Sequence, residues 1–154
     1  MGVHPGVRVI KHEGGIFDAL PLSLVTTQSL ACLGRLAGTE LAPGRFRPNL
    51  LVDASGSDFP EDAWVGRALR IGGLRMRVDK PDMRCVVITI DPVTLARNPA
   101  ILRAVARERG NRFGVYGSTV EPGRIAVGDP VEVEPWPRGA RRVRGTSLRS
   151  AVMT

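Results

Sequence analysis

The sequence predicts a mainly β domain, a barrel or sandwich with a few peripheral helices. Three observations predict it. About seven short apolar runs read as strands, against two segments that read as helices. Turn signals recur roughly every eight to twelve residues, the spacing of barrels and sandwiches. The strands do not alternate with helices, which argues against a doubly wound parallel sheet. The length of 154 residues suits one domain.

The elements follow in order. Residues 7–10 read as a short strand, and Glu13-Gly14-Gly15 as a turn. Residues 20–25 are apolar and extended, because the residue before Pro21 avoids the α region. Thr26 or Thr27 offers an N-cap, Leu30, Leu33, Gly34 and Ala37 recur at helical spacing, and Gly38 stands at a stop; this predicts a helix over 27–37. Residues 46–54 read as a strand interrupted at Pro48, the mark of an edge or a bulge. After a turn at 55–58, Pro60 opens one helical turn through Trp64. Three strands follow over 68–71, 74–78 and 84–90, the first two joined by the hairpin signal Gly72-Gly73. Asn98 caps and Pro99 opens a second helix with the stripe Ile101, Leu102 and Val105, stopped by Gly110. Residues 113–120 read as a strand, and 125–127 and 131–133 frame Gly128-Asp129-Pro130. Pro135 and Pro137 end the ordered body.

Composition excludes some classes. With 43% apolar and 24% charged residues the chain is neither acidic and disordered nor of low complexity. No apolar run approaches the roughly 18 residues that span a bilayer. The first ten residues lack the apolar core of a secretory signal. A cytoplasmic setting with no membrane partner is therefore expected. Such a setting argues against a bridge between Cys32 and Cys85.

The net charge is +7, but it is uneven. Five arginines and no acid fall in residues 136–154, leaving +2 on residues 1–135. This divides the chain into a folded body, 1–135, and an Arg-rich tail, 136–154, expected to be disordered. The tail lacks aromatics among its arginines for base stacking, which argues against nucleic acid as the partner.

Generic motifs are absent: there is no phosphate loop, no dinucleotide fingerprint and no zinc spacing. His4 and His12 lie near one end with nothing to build a triad on. Three features carry chemistry. Cys85 follows Lys80, Asp82 and Arg84, and nearby cations favour the thiolate, the form that serves as nucleophile or soft metal ligand. The alternative is a buried small hydrophobe, which is how Cys32, at helical spacing among apolar residues, is read. Arg45, Arg47 and Asn49 share one side of a strand by period-two alternation, subject to the kink at Pro48, and suit an anion such as phosphate. A solvated polar face is the alternative. Tyr116, the sole tyrosine, stands between Gly114 and Gly117, which suggests a close backbone approach or a bend in a barrel strand.

Together these strings resemble one family, the MOSC domain, named for the C-terminal domain of molybdenum cofactor sulfurase. They are Leu24-Val25-Thr26-Thr27-Gln28-Ser29-Leu30, Arg45-Phe46-Arg47-Pro48-Asn49-Leu50, Asp62-Ala63-Trp64-Val65-Gly66, Arg84-Cys85-Val86-Val87-Ile88-Thr89-Ile90-Asp91-Pro92, Phe113-Gly114-Val115-Tyr116 and Val127-Gly128-Asp129-Pro130-Val131. They run in family order from about residue 20 to 134.

The resemblance implies a MOSC-type β-barrel that binds the molybdenum cofactor, a molybdopterin. By carry-over from relatives such as the mitochondrial amidoxime-reducing component, Cys85 is the catalytic thiolate and metal ligand. Arg47 and Asn49 would hold the pterin's phosphate or ring edge, with Arg45 beside them. Thr26 and Ser29 fall near cofactor-contacting positions, and Tyr116 lines the same pocket. The implied activity is reduction of N-oxygenated or related small molecules. With no flavin or iron–sulfur motif in the chain, electrons would come from a separate flavin or iron–sulfur protein.

Such reductases carry a further N-terminal β-rich segment, and with about 20 residues before the first motif here, part of the clamp is expected either to be missing or to come from a partner chain. Many relatives place a small polar residue where this chain has Met83. Pyridoxal phosphate is sometimes attributed to the family, but Lys11 and Lys80 lie in no pyridoxal motif, which argues against it. Two other readings stand beside the reductase: a sulfur carrier or cofactor-delivery module using Cys85, and a non-catalytic protein whose tail grips an anionic partner.

Overall fold

A computed structural model describes residues 19–56 and 58–137. The strand expected at 7–10 and the tail beyond residue 137 lie outside the described residues. Six strands, β1 (Leu22–Thr26), β2 (Leu50–Val52), β3 (Ala68–Ile71), β4 (Leu74–Met83), β5 (Arg112–Glu121) and β6 (Val131–Glu134), form one sheet in the order β2-β1-β5-β4-β3-β6. β1 and β2 pair in parallel and every other neighbour is antiparallel. Two helices, α1 (Thr27–Ala37) and α2 (Pro99–Arg109), and three 3-10 turns complete the described chain. The mainly β expectation holds.

Both helices start and stop as their sequences dictate. Thr26 caps α1, its hydroxyl accepting from the Ser29 N–H at 3.1 Å, and Gly38 ends it in the left-handed region. Asn98 caps α2 through the Ala100 N–H at 3.1 Å, Pro99 fills its first position, and Gly110 stops it. The hairpin of β3 and β4 closes on Gly72-Gly73, with Ile71 opposite Leu74.

Three expected strands are corrected. Residues 46–54 give only the short β2: Pro43–Phe46 is a 3-10 turn and Arg47 is left-handed, with φ 50°. Pro48 has no N–H for a ladder, and the side chain of Arg45 is held elsewhere. Arg45, Arg47 and Asn49 therefore do not line one strand face. The strand expected over 84–90 is absent too. β4 instead continues through Pro81 to Met83, with register shifts against β5, and Val86–Thr89 is a 3-10 turn. The β-branched run suits a strand, but the Thr89 hydroxyl donates to the Val86 carbonyl at 2.7 Å and closes the turn. Residues 125–127 form no strand; the Asp129 carboxylate accepts from the Ala126 N–H at 2.8 Å and folds them into a loop.

The core has two clusters on opposite faces of the sheet. One holds Val25, Leu30, Leu33, Phe46, Ile88, Ile101, Val105 and Phe113 beneath the helices. The other holds Leu24, Val52, Leu69, Ile71, Met76, Val78 and Val115. Leu24 and Val25 divide between them as alternation requires. Phe113 and Val115 should share a face, yet they divide as well. Gly114 between them has φ 76°, which breaks the alternation and sends Phe113 to the helical side.

Candidate functional site

Cys85 lies just past the end of β4 and is exposed, whereas Cys32 is buried in α1. Burial is the first cause that pushes the Cys32 thiol up, with the neighbouring Asp58 the next. The two cysteines thus separate as expected: one inert and internal, one available. Met83, Val86 and Val87 beside Cys85 are exposed as well.

The residue before Cys85 points the other way. The Arg84 side chain is 8% exposed and ion-paired with Asp82 at 2.8 Å. Its Nε donates to the Phe113 carbonyl at 2.8 Å and one terminal nitrogen donates to the Phe46 carbonyl at 2.9 Å. The guanidinium also lies over the rings of Phe46 and Phe113, at 5.5 and 5.9 Å. Its own backbone N–H reaches the Asn111 carbonyl at 2.7 Å. Burial draws the Arg84 guanidinium below its ordinary range; Asp82, then Tyr116, Cys85 and Glu61, act in the opposite sense. Three of the sequence motifs therefore meet at one buried cation.

Gly114 belongs to the same contact. A Cβ there would stand 3.2 Å from a terminal nitrogen of Arg84 and 2.6 Å from the Leu24 carbonyl oxygen. The expected close approach is thus of backbone and guanidinium to the glycine. Gly117 serves similarly against Arg77 and Met76 of β4.

Arg45 anchors the turn after Cys85. It donates to the Ile88 carbonyl at 3.3 Å and pairs with Asp91 at 2.8 Å, leaving its side chain 9% exposed. The Asp91 carboxylate also accepts from the N–H groups of Thr94 and Val93, and these backbone bonds are the main reason its pKa lies below the ordinary range.

Arg47 is exposed, and no ion-pair partner for it occurs among the described residues. Asn49 ties β2 to β1: its carbonyl oxygen accepts from the Ser23 N–H at 2.8 Å and the Ser23 hydroxyl at 3.1 Å. Asn49 also borders a groove of about 830 Å³ between β2 and the loop through residues 125–131. Tyr116, half-buried in β5, lies beside Lys80, whose Nζ is 6.0 Å from the ring centre.

Thr26 and Ser29 are fully buried and engaged with one another. Both hydroxyls bond one carboxylate oxygen of Glu61, at 2.8 and 2.6 Å, and Glu61 is itself 0% exposed. Sequence reasoning missed Glu61. It stands directly before the Asp62-Ala63-Trp64 string, but an exposed glutamate early in a helical turn looks the same in sequence. It also treated Asp82 and Arg84 only as charges near Cys85; their inward direction is a property of the fold.

A protein-family model described as the MOSC domain matches residues 11–132. The chain belongs to the MOSC domain family. Molybdenum cofactor sulfurase of Drosophila erecta is 32% identical over 130 residues, which make up 76% of this chain and 16% of that protein. Mitochondrial amidoxime reducing component 2 of Bos taurus is 30% identical over 127 residues, 74% of this chain and 37% of that one. Among solved structures, YiiM from Geobacillus stearothermophilus superimposes with a TM-score of 0.58 at 19% identity, over 77% of this chain and 56% of that one. YiiM from Escherichia coli gives a TM-score of 0.53 at 20% identity, over 75% of this chain and 55% of that one. The likeness to both is one of fold. No helix among the described residues is long and apolar enough to cross a membrane.

Proposed function

We propose that this domain binds the molybdenum cofactor with the Cys85 thiolate as metal ligand, and acts as a reductase of N-oxygenated or related small molecules. The observation that carries this reading is the exposure of Cys85 on a turn whose two sides are anchored by Arg84 and Arg45. The residues fit the group. A soft thiolate suits a metal that already carries pterin sulfurs, and Arg47 offers a guanidinium with no described partner to an anion such as the pterin phosphate. No three His, Cys, Asp or Glu side chains cluster as metal ligands among the described residues. Among the described residues, the Cys85 thiolate is the protein ligand on this reading.

Cys85 and Arg47 would hold the cofactor. Thr26 and Ser29 would act at one remove, through the Glu61 cluster that fixes the start of α1. When bound, the cofactor supplies a two-electron metal centre; the chain supplies the thiolate, the anion clamp and the shape of the pocket. Reduction of an N-oxygenated substrate needs two electrons and two protons per oxygen released as water. We assign their delivery to a separate flavin or iron–sulfur protein. Protein expressed in a cofactor-competent host should carry near-stoichiometric molybdenum, and Cys85→Ala none. Equal metal content in both would reject Cys85 as ligand.

A second reading is a sulfur carrier or delivery module. The likeness to molybdenum cofactor sulfurase and the exposed Cys85 favour it. A persulfide donor would pass its outer sulfur to the Cys85 thiolate and leave as a thiolate. Intact-mass measurement after incubation with such a donor should then show one added sulfur, lost in Cys85→Ala.

A further inference from the structure

The two neighbours Arg84 and Cys85 have opposite fates, one buried at 8% side-chain exposure and one in solvent. On the inner side, the Arg84 side chain reaches several segments at once. The Arg84 guanidinium donates to the carbonyl of Phe46 in the turn before Arg47 and to the carbonyl of Phe113 in β5, and it is in ion-pair contact with the carboxylate of Asp82 in β4. It thereby ties together three segments that are distant in sequence. Beyond it the chain closes the 3-10 turn, Ile88 N–H to Cys85 carbonyl at 3.3 Å and Ile90 N–H to Val87 carbonyl at 3.0 Å, and its far side is held by Arg45 on the Ile88 carbonyl and by the Asn98 N–H on the Thr89 carbonyl at 2.8 Å.

We propose that Arg84 is the positioning residue for Cys85: its planar fork fixes where β4 ends, and so the direction in which the thiol is presented. Asp82 is its counter-ion, and the bare Cα of Gly114 makes room for it, since a Cβ there would fall 3.2 Å from the guanidinium. The role depends on the fork more than on the charge. An ammonium is a point donor and cannot reproduce the two fixed, separate N–H groups that reach the Phe113 and Phe46 carbonyls. The proposal rests on the reading of Cys85 as the working thiol, but its test does not need bound metal.

The test compares full-length wild type with Arg84→Lys, which keeps the charge and loses the fork. Amide hydrogen exchange at Ile88 and Ile90 should speed up by about tenfold or more, while α1 keeps its protection. Alkylation of Cys85 by iodoacetamide at fixed pH should change severalfold, with Cys32 unlabelled. Ile71→Val, which thins the other core cluster, serves as the control: it lowers stability and should leave both readouts unmoved. Unchanged exchange or unchanged alkylation in folded Arg84→Lys overturns the proposal. Should that variant not fold, Asp82→Asn decides on the same two readouts. Molybdenum content is measured in parallel. Its absence from wild type would sink the ligand role of Cys85, while exchange and alkylation still decide the role of Arg84.

Discussion

Gly114 shows how much one missing side chain can decide. Its φ of 76° lets β5 send Phe113 to one core cluster and Val115 to the other, and its bare Cα leaves room for Arg84. Gly114→Ala would combine backbone strain with a clash against the Leu24 carbonyl, which is backbone and cannot swing aside. The expected loss is about 2–4 kcal/mol of stability. Denaturant unfolding measures it, and a loss below about 1 kcal/mol would show that the strand can shift to accept a Cβ. The buried polar groups are partnered only in part: two hydroxyls bond one oxygen of Glu61 while its other oxygen has no hydrogen-bond partner among the described residues, and Arg84 donates to two carbonyls beside its ion pair with Asp82.

At the scale of elements, local chemistry and tertiary demand divide the work. α1 and α2 carry their own start and stop signals, so their ends are written locally. Asn98→Ala would remove the cap of α2 and leave the Ala100 N–H without its acceptor. It should cost about 1 kcal/mol, and melting curves should show a drop of a few degrees. No drop would mean that packing of Ile101 and Val105 alone sets where α2 begins. The segment from Arg84 to Ile90 behaves oppositely. Its residues favour a strand, but Arg84 is drawn inward, and the Val86–Thr89 turn meets Arg45. That same override gives Cys85 its exposed place at a corner.

For the whole molecule, acid is the revealing stress. The carboxylates of Asp91 and Glu134 both lie below their ordinary pKa values. The main cause is the Thr94 and Val93 amides for Asp91, and Arg70 for Glu134. A depressed folded pKa means that the unfolded chain binds the proton more readily. The contribution is therefore complete above the unfolded carboxyl value and lost as pH falls through the folded value. The melting temperature should decline below about pH 5, with neutral pH on the plateau. Asp91→Asn should flatten part of that decline, since it removes one of the titrating groups; an identical acid slope in the variant would reject the assignment. Glu134 joins Arg70 and Arg75, and Trp136 lies under Arg75 and Arg77, so the last described strand is tied to the sheet by charge and ring contacts.

What the sequence determined by itself was local or chemical in kind. Capping residues, the Gly72-Gly73 hairpin and alternating apolar runs set both helices and most strands, because those signals act over a few residues. The motif strings around Arg47, Cys85 and Gly114 marked the family, because they are rare combinations of residue types in a fixed order. Only the tertiary structure decided which way each marked side chain turned. Thr26 and Ser29 face Glu61, Arg45 faces Asp91, Asn49 binds Ser23, and Arg84 points inward while Cys85 points out. Each of these pairings except Arg84 with its neighbour spans 26 or more residues, as for Asn49 and Ser23, or 46 for Arg45 and Asp91. A hydrogen bond formed across such a distance exists only once the sheet has closed, and no window of sequence contains both of its ends.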